Sequence, residues 1–223
     1  MNEMKVLFIG KEGDSFSKTA ADFLQLHFKE SVIVFSKRAD PFPIYLHEWE
    51  GDIIISYLAQ WIIPDSLLQK AKRAAINFHP GPPEYPGIGC TNFAIYNKEK
   101  EFGITCHHMM AKVDSGSIIE VRRFPVFEND TVYSITQRCY TEILHLFYKL
   151  ISDLLRGESL PKSYESWTRK PYTRKQLNEL CELKPGMSKE EIDLRIKATT
   201  YGTKVWAHMK KEEINTTYSS YKK

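Results

Sequence analysis

Lys5-Val6-Leu7-Phe8-Ile9-Gly10-Lys11-Glu12-Gly13-Asp14-Ser15 is the stretch on which the fold turns. Its apolar run is unbroken instead of alternating, so a strand built from it is covered on both faces, as strands of parallel sheets are. Glycine closes the run, and after the polar turn Ala20, Phe23, Leu24 and Phe28 return at helical spacing. The reading is strand, turn, helix. Ser31 to Ser36 and Asp52 to Ser56 repeat the apolar pattern. Pro64-Asp65-Ser66-Leu67-Leu68 opens a short helix with proline at its start, and Ala74 to Phe78 supplies a fourth strand. Strands alternating with helices predict an α/β domain with a doubly wound, mostly parallel, Rossmann-like sheet.

Past the fourth strand, His79 to Gly89 holds four prolines and three glycines, a composition that only a loop accommodates. Proline stiffens such a loop and glycine lets its backbone approach a ligand. A rigid loop after a parallel strand lies where these sheets bind ligands. Thr91 to Tyr96 reads as a short helix, and Phe102 to Met109 and Ile118 to Val121 read as strands. Asp130 or Thr131 caps a long helix with Val132, Ile135, Cys139, Ile143, Phe147, Leu150, Ile151 and Leu154 on one stripe, ending at Gly157. Ser188-Lys189-Glu190-Glu191 has the form of a capping box for a further short helix.

The 223-residue chain is long enough for one full core, and a formal charge of +3 with dispersed cations leaves no footprint for DNA or RNA. No apolar run reaches membrane-spanning length, and the segment before Gly10 is too short for a signal-peptide core. A cytoplasmic protein is the expectation. Cys90, Cys106, Cys139 and Cys181 lack metal spacing and are expected to be buried free thiols.

Asn77 and His79, two apart on one strand, leave its end on the same side. Asp114 follows His79 by 35 residues, within Val113-Asp114-Ser115-Gly116. Each has an ordinary structural reading: a strand-end amide, a histidine bonded under a proline loop, a turn aspartate. Together they offer a hydrogen-bond donor, a group that titrates near neutrality and a carboxylate, which acyl transfer between heteroatoms needs. His107 and His108 point to opposite faces of their strand, so one of them can face the same cleft. A metal held by His79, His107 and Asp114 is then an alternative, although no close-spaced ligand pair anchors it. Gly10-Lys11-Glu12-Gly13 reads either as a loose phosphate-binding turn or as a plain strand-to-helix turn. Trp167 to Lys175, basic and aromatic without helical period, reads either as a nucleotide contact or as solvated surface.

Asn77-Phe78-His79-Pro80, Tyr85-Pro86-Gly87, Gly103-Ile104-Thr105-Cys106-His107 and Asp114-Ser115-Gly116-Ser117-Ile118-Ile119, with Gln60-Trp61-Ile62-Ile63-Pro64 upstream, resemble the formyltransferase family that uses 10-formyltetrahydrofolate. The resemblance implies Asn77, His79 and Asp114 as catalytic residues. It also implies a folate in a cleft lined by Gln60, Trp61, Ile63, Met110, Ala111 and Lys112, held largely through backbone. The loop in that family commonly reads His-Pro-Ser-Leu-Leu-Pro, whereas His79 to Gly87 departs from it and looks like the branch acting on nucleotide-linked amino sugars. Pro171-Tyr172-Thr173-Arg174 and Arg195-Ile196-Lys197-Ala198-Thr199 look like the same branch. Gly81, Tyr85, Asn92 and Arg174 are then expected along the nucleotide sugar, with no metal in the site. The expected acceptor is dTDP-4-amino-4,6-dideoxyglucose, which would place the protein in surface-polysaccharide (O-antigen) synthesis, and the resemblance also implies a homodimer.

The domain expectation is a catalytic domain over residues 1–157, an extension over 158–209 packing on it, and a flexible tail over 210–223. The chain looks too short for the C-terminal barrel of the methionyl-tRNA formyltransferases. Alternatives are a formyltransferase for another small amine such as glycinamide ribonucleotide, a metal-dependent hydrolase using His79, His107 and Asp114, or a non-catalytic nucleotide- or folate-binding module.

Overall fold

A computed structural model of the chain describes residues 2–209, and the expected flexible tail at 210–223 lies outside them. The core is one six-stranded sheet in the order β2-β1-β3-β4-β5-β6. Its parallel part consists of β1 (Asn2–Lys11), β2 (Phe28–Ser36), β3 (Gly51–Tyr57) and β4 (Ala71–His79). The continuous apolar runs are these strands. β5 (Glu101–His108) and β6 (Ile118–Pro125) then close one edge antiparallel. β6 runs past the expected end at Val121 because Arg122 and Arg123 are not loop charges. They pair with Glu120 and with Glu84 and Glu165 across the surface.

Alternation along the strands gives the sheet two unequal faces. Phe8, Ile53, Ile55, Tyr57, Ile76 and Phe78 belong to the larger core, together with Ala20 and Leu24 of α1 (Ser15–His27) and the stripe of α4 (Val132–Leu155). Leu7, Ile9 and Ile54 face a smaller core made with Leu46 and Trp49 from a 3-10 turn and its flank, and with Leu67 and Leu68 of α2 (Asp65–Leu68). Asn77 lies on this second face, two residues beyond Ala75, which packs there beside Met109, Ala59 and Trp61.

α3 (Cys90–Tyr96) follows the proline loop, and Thr131 caps α4 with a reciprocal bond to Ser134, choosing between the two expected caps. After α4 the chain returns over the sheet before α5 (Arg174–Cys181) and α6 (Lys189–Ala198). α5 lies within and beyond the stretch that reads in sequence as lacking helical period. Its Thr173–Gln176 capping box is complete, hidden in the sequence by the basic residues around it. At α6 the box is half made: Ser188 accepts from the Glu191 N–H, but the Glu191 carboxylate turns to Tyr96 and Arg195. Tyr172, Leu180 and Ala198 join the larger core. Cys90, Cys106 and Cys139 are buried free thiols, whereas Cys181, at the end of α5, is only partly covered.

Candidate active site

β4 and β5 pair antiparallel with Asn77 opposite His107 and His79 opposite Thr105. Residues directly opposite share a face, so the register alone brings His107 to Asn77. The Asn77 Nδ2 and His107 Nε2 atoms are 3.1 Å apart. The loop between β5 and β6 then folds back to deliver Asp114, whose backbone is left-handed at φ +44°. One carboxylate oxygen of Asp114 stands 3.4 Å from His79 Nδ1 and the other 3.2 Å from His107 Nε2. The first oxygen also accepts the Gly87 N–H at 2.7 Å, joining this loop to the proline loop.

Asn77, His79 and Asp114 therefore meet, and His107 joins them. His79, His107 and Asp114 are buried, while Asn77 is half-buried and is the member nearest to solvent. His79 donates from Nε2 to the Tyr85 carbonyl at 2.8 Å, so a second proton on Nδ1 points at Asp114. Burial alone would lower the pKa of His79, but the charge of Asp114, reinforced by Cys90 and the Tyr85 carbonyl, raises it to about 10. Burial likewise pushes Asp114 up, and His79, His107 and the Gly87 N–H bring it down to about 2. The pair is an imidazolium and a carboxylate.

His107 donates from Nδ1 to its neighbour's carbonyl, His108 O, at 2.8 Å, so its Nε2 decides the rest. A neutral ring accepts there from the Asn77 amide but sets a lone pair against Asp114. A charged ring donates to Asp114 and favours Asn77 turned with Oδ1 inward and its NH₂ outward. The sequence offered His107 or His108 as a cleft-facing residue, and His107 as a ligand in the metal alternative. Among the described residues no group of three or more His, Cys, Asp or Glu is arranged to hold a metal. Asp114 gives one oxygen to each histidine, bridging them.

The other expected residues divide. Gln60 and Trp61 use their side chains to hold the chain after β2: Gln60 accepts the Arg38 N–H, and the Trp61 indole donates to the Lys37 and Asp40 carbonyls. Ile63 is a core residue. Met110, Ala111 and Lys112 are exposed on the loop leading to Asp114. Gly81 sits beneath His79, where an added Cβ would stand 2.8 Å from both His79 Nε2 and Tyr85 O. Tyr85 points inward, its hydroxyl bonded to Glu99 and Asn97, and Asn92 donates to the Ala198 carbonyl. Both side chains are thus bonded to groups of the fold itself. Arg174 begins α5 and is exposed. In the Gly10–Gly13 turn, Asp14 caps α1 through the Ser17 N–H. A carboxylate thus already occupies the helix terminus, which favours the plain strand-to-helix turn.

A family model described as "Formyl transferase" matches residues 36–150, which hold Asn77, His79, His107 and Asp114 and every other expected site residue except Arg174. The chain belongs to the formyl transferase family. Over 144 residues it is 31% identical to the methionyl-tRNA formyltransferase of Halalkalibacterium halodurans, covering 63% of this chain and 45% of that protein. It is 28% identical over 151 residues to the GDP-perosamine N-formyltransferase of Brucella melitensis, covering 67% of this chain and 57% of that one. The chain thus spans about half the length of the methionyl-tRNA formyltransferases it matches, 45% for those of Halalkalibacterium halodurans and Listeria monocytogenes. Its fold is that of an N-formyltransferase from Helicobacter canadensis solved with folinic acid and dTDP-3-aminofucose. The TM-score is 0.69 at 22% identity, covering 87% of this chain and 80% of that one.

Proposed function

We propose that this formyl transferase moves a formyl group from 10-formyltetrahydrofolate to the amine of a nucleotide-linked amino sugar. The observation that carries the reading is the convergence of Asn77 with the His79–Asp114 ion pair at the end of β4. The amine nitrogen bonds to the formyl carbon, a tetrahedral oxyanion forms, and the bond from that carbon to folate N10 breaks as N10 gains a proton and the amine loses one. Asn77, the least buried member, donates to the oxyanion, a contribution of about 10²–10³ in rate for a well-placed donor. His79, held charged, favours the developing negative charge and is poorly suited to accept a proton. Asp114 fixes that charge in place.

The amino sugar branch is supported by the relative from Brucella melitensis and by the folded neighbour from Helicobacter canadensis, whose partners are folinic acid and a dTDP-linked amino sugar. Arg174 adds chemistry that suits a diphosphate. Partial burial and the nearby charge of Arg38 both lower its pKa, and no carboxylate counters them among the described residues. A bound anion would offset that unfavourable field. The acceptor within the class is proposed as dTDP-4-amino-4,6-dideoxyglucose, in surface-polysaccharide synthesis. A homodimer is proposed from the exposed Val205, Trp206 and Met209 near the end of the described chain. Light scattering reads the dimer directly.

The test is formyl transfer to a panel of dTDP-, UDP- and GDP-linked amino sugars, read by mass, with Asn77→Ala, His79→Asn and Asp114→Ala beside the unaltered protein. A formylated product lost in the variants supports the reading. Near-unaltered turnover in all three would overturn it.

A further inference from the structure

Residues 160–172 run from the start of β6 to the proline loop as a strap. Ser163 N–H donates to Ile118 O at the start of β6, and Thr168 N–H donates to Pro83 O in the proline loop. Tyr172 exchanges backbone bonds with Pro86 and Ile88 on either side of Gly87. Arg123 gathers the same elements by side chain, gripping Glu84 of the loop with two bonds of 3.1 Å and Glu165 of the strap with one of 2.5 Å. Between these ties the strap sets down Trp167. The indole stands edge to face with both histidines, 5.0 Å from His107 at 88° and 5.8 Å from His79 at 75°. Its Nε1–H donates to Gly116 O at 2.8 Å, two residues beyond Asp114.

We propose that Trp167 is a positioning residue of this site: its indole walls the His79–Asp114–His107 cluster against water, and its N–H pins the loop that carries Asp114. Two features of the cluster require such a wall. Asp114 keeps a left-handed backbone, which aspartate tolerates less readily than glycine, so bonds to its loop help to hold it. The attraction between Asp114 and His79 is strong only while water is kept from between them. An indole supplies both functions, a broad apolar body and one donor at its rim. Phenylalanine would keep the wall and lose the pin, and alanine would lose both. The charged and titratable groups facing His79 are Asp114 and Cys90, with His107 on the far oxygen of Asp114.

The experiment is an imidazole-ring NMR titration of the unaltered protein, Trp167→Ala and Trp167→Phe, with amide hydrogen exchange over residues 113–117. In Trp167→Ala, water screens Asp114, and the His79 midpoint falls by about one pH unit or more toward the ordinary imidazole value. In Trp167→Phe the midpoint stays near that of the unaltered protein, while the amides of 113–117 exchange about tenfold faster. If Trp167→Ala does not fold, the exchange measured on Trp167→Phe decides alone. An unchanged His79 midpoint in a folded Trp167→Ala, or unchanged exchange in Trp167→Phe, overturns the assignment. The kinetic arm rests on the reaction proposed above: kcat in Trp167→Ala falls about tenfold or more with KM for the formyl folate little changed. A protein inert toward every amino sugar would refute that reaction and leave the NMR result to stand by itself.

Discussion

Asp114 holds three loads at once: it orients His79, opposes His107 and accepts the Gly87 N–H. Replacing it by asparagine keeps the shape and removes the charge that keeps His79 protonated against burial. Asp114→Asn should therefore lower formyl transfer by about 10²–10⁴ and drop the His79 midpoint below its ordinary value, read by rate and by ring NMR. Arg174 makes a different prediction. Arg174→Ala should raise KM for the acceptor about tenfold and leave KM for the folate unchanged, because it touches none of the four clustered side chains. At this scale Asn77, His79 and Asp114 are legible in the sequence because their spacing and the loop composition state where the strand ends. His107 is half legible. Its strand can be read, but its partnership with Asn77 depends on a register between two strands that no local pattern encodes. The inward bonds of Tyr85 and Asn92 are not legible, because a polar side chain beside a ligand loop looks the same in sequence whether it turns inward or outward.

At Gly87 the proline loop presses directly on the strap. An added Cβ there would lie 2.3 Å from Tyr172 O and 2.6 Å from its N, on a backbone at φ +90°. Gly87→Ala should push the strap off the proline loop and destabilise the protein by about 1–3 kcal/mol, with Trp167 fluorescence shifting to the red as its indole meets water. Tyr57 predicts the opposite sign: it is fully buried in the larger core, and its hydroxyl has no partner among the described residues. Tyr57→Phe should be neutral or raise stability by about 1 kcal/mol in chemical unfolding. The parallel strands and α4 are legible as elements because burial on both faces, or on a sustained stripe, writes itself as apolar residues. α5 escapes because it is short and buries chiefly Leu180, so its periodicity is lost between Arg174 and Lys175 on one side and Glu179 on the other.

For the whole molecule, the ion pair links folding to pH. His79 is raised above its ordinary 6.5, so its share of stability is complete below about 6.5 and fades as pH climbs through about 10. Asp114 is depressed from 3.8, so its share is complete above about 4 and fades as pH falls through about 2. The stability difference between the unaltered protein and His79→Asn should accordingly be widest between about pH 4 and 6.5 and narrow on the alkaline side, as urea unfolding at several pH values would show. The doubly wound layout is legible at this scale, whereas the return of the chain over the sheet is not, because it depends on contacts more than fifty residues apart, such as Trp167 with Gly116.

That return sets an order of events at the ribosome. Asn77, His79 and Asp114 are all synthesised before α4 begins, yet Trp167 and Tyr172 lie beyond its end. Throughout the interval in which α4 is being made, the histidines have no indole against them and Phe93 lacks the Tyr172 ring that stacks on it at 3.8 Å. A growing chain thus carries the clustered side chains for about fifty residues beyond Asp114 before Trp167 can close over them.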